Sequence, residues 1–179
     1  PVIDAEKNLY ITETRGLHKF SSDGNLLWSV RSEDGEDDLF PDGPSVMDNK
    51  VFATTMSGRV YAFDAKSGRK LWKVRHYSSI GMDSKYTTCH KGIVVVGSDG
   101  AVAHSGSRHI MGLDAESGAR LWDFMPDTPV WNMMGIFTED DTVLFQDWDA
   151  RLYRLGLFNG TLLWKRGGRL GTTWTDGDH

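Results

Sequence analysis

Ala62-Phe63-Asp64-Ala65-Lys66-Ser67-Gly68-Arg69-Lys70-Leu71-Trp72 is the stretch that decides how this 179-residue chain folds, because its ending recurs along the sequence. Gly24-Asn25-Leu26-Leu27-Trp28, Gly118-Ala119-Arg120-Leu121-Trp122 and Gly160-Thr161-Leu162-Leu163-Trp164 share the pattern of Gly68 through Trp72: a glycine, three residues, and a tryptophan preceded by leucine. The four tryptophans stand 44, 50 and 42 residues apart. Similarity at a period of this length marks a repeat architecture, in which each unit buries its apolar faces against its neighbours.

Each unit parses into four short strands. In the second, residues 45–47 read as an inner strand, 51–55 as the next, 59–63 as the third and 69–74 as the outer one. The third strand alternates in every unit, which places His18 with Phe20, Tyr61 with Phe63, Met111 with Leu113 and Tyr153 with Leu155 on one face. The turn from Asp64 to Gly68 returns as Asp114 to Gly118. An aspartate there can accept hydrogen bonds from amides two or three residues on, and the glycine takes the left-handed conformation that ends a short hairpin. The first unit is one residue shorter, and in the last Leu157 is expected where the others have aspartate.

Four-stranded units at this spacing predict an all-β chain, a β-propeller of antiparallel blades. The approximate blades are 1–31, 43–75, 86–124 and 130–166, with 167–179 starting a further blade or forming a tail. A blade cannot bury both faces alone, and a large flat residue at a fixed place on the outer strand can wedge between neighbours. Trp28, Trp72, Trp122 and Trp164 are therefore expected to be structural, each burying on the order of 200 Å² while its indole N–H finds a carbonyl.

At these residues the chain resembles the pyrroloquinoline-quinone-like (PQQ-like) propeller repeat, whose signature is close to Ala-x-Asp-x-x-Thr-Gly-x-x-x-Trp. Residues 62–72 match it closely, and residues 112–122 match with Gly112 for the leading alanine. Blades of this kind occur in quinoprotein dehydrogenases, in the scaffold lipoprotein of the bacterial outer-membrane assembly machine and in luminal sensor domains of unfolded-protein kinases, so fold does not decide function among them. Family rings close with about six to eight blades. The resemblance therefore implies that the four blades belong to a longer chain or are completed by a partner, whether other protein subunits or missing blades. It also implies an extracytoplasmic location, a periplasm or a secretory lumen.

Composition narrows the classes. Hydrophobic residues at 39% and charged residues at 25% suit a globular chain. A net charge of −5 argues against nucleic-acid binding, which calls for a basic surface. No apolar run approaches the roughly 20 residues of a membrane span. The single Cys89 excludes an internal disulfide and reads as a small buried hydrophobe on a strand.

The resemblance to quinoprotein dehydrogenases implies a quinone held under a disulfide of adjacent cysteines, over a tryptophan floor, with calcium bound by Asn, Asp and Glu. One cysteine cannot make that pair. Trp131-Asn132, expected in the inner strand of the fourth unit, reads as channel packing rather than as a floor and a calcium ligand. The acidic run from Glu33 to Asp38 lacks the alternating ligands of a calcium loop and reads as a solvated connection. His104 and His109 have no third ligand nearby. Asn159-Gly160-Thr161 fits a glycosylation sequon, but it occupies a turn that every unit has. Neither catalytic residues nor a PQQ or calcium site are expected in this segment.

Two segments break the repeat: the acidic connection at residues 31–42 and the insertion at residues 98–107 between the second and third strands of the third unit. In a propeller both connection types emerge on one face of the disc, and loops on a rigid scaffold are where binding concentrates. The expected contact surface comprises Asp37, Asp38, Phe40, Ser98, His104 and Arg108. The functional expectation is a non-catalytic interaction scaffold within a larger assembly. A quinoprotein dehydrogenase segment or degenerate relative is the alternative, and a luminal peptide-binding sensor a third.

Overall fold

The computed structural model describes residues 1–13, 16–35, 38–41, 43–75, 87–97, 108–130 and 134–168. All regular elements among them are strands, in four antiparallel four-stranded meanders. Blade one comprises β1 (Val2–Ile3), β2 (Leu9–Glu13), β3 (Gly16–Phe20) and β4 (Leu26–Val30). Blade two comprises β5 (Ser45–Met47), β6 (Lys50–Thr54), β7 (Arg59–Asp64) and β8 (Lys70–Arg75). Blade three comprises β9 (Thr87–His90), β10 (Ile93–Val96), β11 (Ile110–Asp114) and β12 (Arg120–Phe124). Blade four comprises β13 (Ile136–Phe137), β14 (Thr142–Gln146), β15 (Leu152–Gly156) and β16 (Leu162–Arg166).

One apolar core lies between each pair of consecutive blades, and strand periodicity divides the side chains between cores. Along β10, Ile93 and Val95 join the core shared with blade four, while Val94 and Val96 join the core shared with blade two. β6 does the same: Val51 and Ala53 face blade one, Phe52 faces blade three. Strands buried on both faces read as continuous apolar runs, which is why Ile93-Val94-Val95-Val96 shows no alternation. The alternation expected for the third strands holds. Tyr61 with Phe63, Met111 with Leu113 and Tyr153 with Leu155 each face the preceding blade.

The tryptophans join blade to blade. Trp28 donates its indole N–H to the Ala65 carbonyl at 3.1 Å, Trp72 to Ala115 at 3.0 Å and Trp122 to Leu157 at 2.7 Å. Each ring also lies on the turn glycine of the next blade. A Cβ on Gly68, Gly118 or Gly160 would come within 2.9, 2.8 and 2.8 Å of Trp28, Trp72 and Trp122 respectively. These glycines therefore meet two demands at once, a left-handed φ of 66–73° and room for an indole face. The aspartate turns form as expected: Asp64 Oδ1 accepts from the Ser67 amide at 2.7 Å, and Asp114 Oδ1 from the Ser117 amide at 2.8 Å.

Two readings of the sequence need correction. Leu157 does not replace the turn aspartate. Gly156 does, because its N–H and C=O make the bonds made by Asp64, and Leu157 corresponds to Ala65 and Ala115 as the acceptor of the tryptophan. The inner strand of the fourth blade is Ile136–Phe137, later than the stretch expected around Trp131-Asn132; those two residues lie outside the described ones. Val130, just before them, is instead buried in the core between blades three and four.

Every blade carries an irregularity in register at the same point, between Lys19/Phe20, Ala62/Phe63, Gly112/Leu113 and Arg154/Leu155. The unpaired residue is the leucine before the tryptophan. Bulges raise the local twist and re-aim a side chain. Here the bulge leaves Leu27, Leu121 and Leu163 about half exposed on the rim. Opposite the tryptophan stands a small residue in the middle blades, Ala62 and Gly112, and a Cβ on Gly112 would meet Trp122 at 2.1 Å. Blade one has Lys19 there. Its ammonium, buried, donates to the same Ala65 carbonyl at 2.9 Å and faces Asp4 at 3.6 Å.

Trp72→Ala removes a buried ring and its carbonyl bond, and is expected to lower unfolding stability by about 3–5 kcal/mol. Gly118→Ala, placed at φ 73° against the same ring, should cost about 1–3 kcal/mol. Urea unfolding followed by circular dichroism measures both, and equal midpoints for wild type and Trp72→Ala would contradict the joint described.

Candidate functional site

The face that carries the outer-to-inner connections and the turns between second and third strands is built by a second set of repeated contacts. The Met56 amide donates to the Leu39 carbonyl at 2.9 Å, and the Trp148 amide donates to the Pro129 carbonyl at 2.7 Å. At equivalent places, the Ser57 amide donates to Asp38 Oδ1 at 2.8 Å and the Asp149 amide to Thr128 Oγ1 at 3.3 Å. Each connection is thus hooked onto the turn of the following blade. Below the hook an apolar residue plugs the interface, Phe40 in one case and Val130 in the other, both buried. Phe40 sits edge-on to Tyr61 and Phe63 at 5.7 and 6.4 Å.

A tyrosine from the third strand supports each hook. The Tyr61 hydroxyl reaches Asp34 Oδ2 and the Ser32 hydroxyl, and accepts from the Glu33 amide, all at 3.3 Å. The Tyr153 hydroxyl donates to Asp147 Oδ2 at 2.8 Å and accepts from the Asp127 amide at 3.0 Å. Burial, with the neighbouring carboxylates added, holds the Tyr153 phenol well above its usual range. Asp147 is buried and also accepts from the Asp149 and Arg151 amides, with the Arg151 guanidinium 3.4 Å away. The acidic connection is tied down by cations of blade two. Asp34 pairs with Arg59 and Lys73, each at 3.0 Å, and Glu33 with Lys70 at 2.5 Å. Lys73 is the main reason the Asp34 carboxyl lies below its usual range, and Lys70 has the same effect on Glu33.

The expected contact residues fare unequally. Asp38 and Phe40 are buried rather than exposed for contact: Phe40 fills the interface between blades one and two, and Asp38 caps the turn from Thr55 to Gly58 by accepting from the Ser57 amide. Arg108 is exposed, and its guanidinium holds the Asp127 carbonyl and the Met125 sulfur, so it anchors the third connection. Asp37, Ser98 and His104 lie outside the described residues. Sequence reasoning missed Tyr61 and Tyr153 as anchors. Tyrosine at the same third-strand position in two units, each with a buried hydroxyl to satisfy, was the available signal.

On the axis side, the inner strands of the four blades line an open pocket of about 390 Å³ that includes Val2, Ser45, Val46, Thr88, Cys89 and Phe137. Ser45 donates to Thr87 Oγ1 at 2.8 Å, which donates to the Phe52 carbonyl at 3.1 Å. Burial pushes the Cys89 thiol up to about 11. No group of three His, Cys, Asp or Glu placed to hold a metal occurs among the described residues. Cys89 is the single cysteine of the chain, and on the loop face Asp147 and Asp34 are committed to amides, tyrosines and cations.

A family model described as outer membrane protein assembly factor BamB matches residues 1–124 and again residues 57–173. The chain belongs to this PQQ-repeat family. The quinone alcohol dehydrogenase subunit of Gluconobacter oxydans is 29% identical over 167 residues, which is 84% of this chain and 21% of that protein. The corresponding subunit of Acetobacter aceti is 33% identical over 117 residues, 56% of this chain and 16% of that one. The chain therefore spans about a fifth of the length of these relatives. Among solved structures, BamB from Moraxella catarrhalis superposes with a TM-score of 0.65 at 22% identity, covering 92% of this chain and 49% of that one. Quinohemoprotein alcohol dehydrogenase from Comamonas testosteroni superposes at 0.77 with 18% identity, covering 94% and 34%. These likenesses establish the propeller fold of the PQQ-repeat arc.

Tyr153→Phe leaves the buried Asp147 one donor short and is expected to destabilise by about 1–3 kcal/mol in urea unfolding, whereas an unchanged midpoint would remove the anchor role. The Cys89 thiol should react with an aromatic disulfide reagent at pH 8 roughly a hundredfold more slowly than a free cysteine with its pKa near 8.5, and at the free rate once unfolded. A fast native rate would place the thiol outside the buried environment described.

Proposed function

We propose that this chain is a non-catalytic scaffold arc, held within a larger assembly outside the cytoplasm. The observation that carries the reading is how the polar groups of the loop face are used. Asp38, Asp147, Asp34, Tyr61, Tyr153 and Arg108 spend their hydrogen bonds on fixing connections. Such a face is rigid and pre-organised, which lowers the ordering cost of binding another macromolecule, and it offers few converging groups for chemistry. The description of the matching family as an assembly factor of the outer membrane supports both the role and the location.

A second reading is favoured by a different observation: the curated relatives named above are dehydrogenase subunits that use a quinone. On that reading the chain is a structural portion of such an enzyme, and the cofactor is held by residues other than those described.

One experiment separates the two. The native protein that carries this chain, purified from its host, is titrated with PQQ and Ca²⁺ by absorbance and assayed for ethanol-dependent dye reduction, and a photo-crosslinker is placed at Arg108 in the same host. The scaffold reading expects no saturable quinone binding and a discrete protein adduct at position 108. Saturable binding accompanied by alcohol-dependent dye reduction overturns it in favour of the dehydrogenase.

A further inference from the structure

The turn that seats Trp122 differs chemically from the other three. Asp23, Ser67 and Ser117 precede the turn glycines of the first three blades, whereas Asn159 precedes Gly160. Among the asparagines Asn8, Asn25, Asn49, Asn132 and Asn159, only the last is followed by glycine. An asparagine before glycine is the one most open to attack by its own backbone, because no Cβ keeps the next nitrogen from the carboxamide carbon. Asn159 is exposed at the end of the β15–β16 hairpin, where water reaches it. The fold nevertheless commits both reacting groups elsewhere. The Gly160 amide donates to the Gly156 carbonyl at 2.9 Å, and Asn159 Oδ1 accepts from the Thr161 amide at 3.1 Å. That oxygen also lies over Gly156, where a Cβ would come within 2.4 Å of it. In blades two and three the shorter Ser67 and Ser117 accept from the Arg69 and Ala119 amides and leave room for the turn aspartate. Asn159 takes that room, which is why Gly156 stands in the aspartate position. Trp122 closes the turn from outside: its ring covers Gly160, and its N–H bonds to the Leu157 carbonyl within the same turn.

We propose that Asn159-Gly160 is a latent deamidation site, kept shut by the joint between blades three and four and released when that joint opens. In the freed turn the Gly160 amide gives its proton to hydroxide, and its nitrogen bonds to Asn159 Cγ. The bond from Cγ to the carboxamide nitrogen breaks, and ammonia leaves with a proton taken from water. Water then opens the five-membered imide at one carbonyl or the other, giving aspartate or isoaspartate. The isoaspartate product runs the backbone through the former side chain and so adds one backbone carbon before Gly160. The turn has no space for it, since even a Cβ on Gly160 would come within 2.8 Å of Trp122. A transient opening of this joint is thereby made permanent, by a chemistry that Ser67 and Ser117 in the equivalent turns cannot perform. The site depends on one turn and one joint, and is independent of the scaffold and dehydrogenase readings.

The native protein that carries this chain, purified from its host, is incubated at mildly alkaline pH with and without denaturing urea. The tryptic peptide 155–165, released by cleavage after Arg154 and Lys165, is followed by mass spectrometry for deamidation and for isoaspartate. Deamidation is slow beside the opening of a turn, so the native rate follows the population of the open form. It is expected to be at least about tenfold below the rate in urea. Trp122→Phe keeps an apolar wedge but cannot donate to Leu157, and is expected to raise the native rate several-fold. Trp72→Phe makes the same change one joint away and should leave the rate unmoved, with circular dichroism reporting that both variants keep their strands. A native rate equal to that in urea overturns the proposal, because the fold then gives the site no protection. Equal rates in the two variants overturn it as well, because the site is then uncoupled from the Trp122 joint.

Discussion

An indole ring lying on a glycine is the contact on which this architecture rests. Trp28, Trp72 and Trp122 each reach across to the next blade, cover its turn glycine and donate to the carbonyl one residue after the turn begins. Three separate constraints meet there. The glycine must have no Cβ, the turn must hold a left-handed residue at that point, and the carbonyl must be free of the hairpin's own ladder. The aspartate turn satisfies all three, because Asp64 and Asp114 cap the turn through Ser67 and Ser117 and leave the Ala65 and Ala115 carbonyls to the tryptophans. The serine hydrogen bonds are the main reason both carboxyls lie below their ordinary range.

A bulge in the outer strand makes the contact reachable. With strict alternation the leucine and the tryptophan would point to opposite faces and the strand would continue flat. The extra residue twists the edge, which aims the tryptophan between blades and leaves the leucine on the rim. The same joint tolerates different chemistry opposite the ring. Ala62 and Gly112 give it space, whereas Lys19 shares its acceptor, so that an ammonium and an indole converge on the Ala65 carbonyl, while the Tyr10 hydroxyl, 3.4 Å from it, lies 2.9 Å from Asp4 Oδ2 and donates there. A carbonyl has two lone pairs, and the nearby Asp4 carboxylate offsets the cost of burying the lysine. Burial alone would raise the Asp4 carboxyl; hydrogen bonds from Asn8 and Tyr10 and the lysine charge outweigh it, leaving it below its usual value.

The loop face follows the same economy of repeated parts. A connection hooked by one backbone bond, a plug below it and a tyrosine hydroxyl above it occur between blades one and two and again between blades three and four. Polar groups that looked available in the linear sequence are used to hold the connections still. This is how an acidic run such as Glu33-Asp34 can be structural: Lys70, Lys73 and Arg59, all on strands of the second blade, neutralise it where the chain crosses.

The sequence by itself determined the four-blade count, the strand order within a blade, the turn chemistry and the structural role of the tryptophans. Each of these rests on local periodicity or on a repeated motif, and local steric rules operate wherever the motif stands. What only the tertiary structure decided depends on which residues meet across a blade boundary. The last turn shows the difference: Gly156 and Leu157 could not be told apart as the turn's first residue until the acceptor of Trp122 was known. Phe40 and Asp38 looked like loop surface because their sequence neighbours are charged, yet the one fills an inter-blade gap and the other caps a turn 19 residues away.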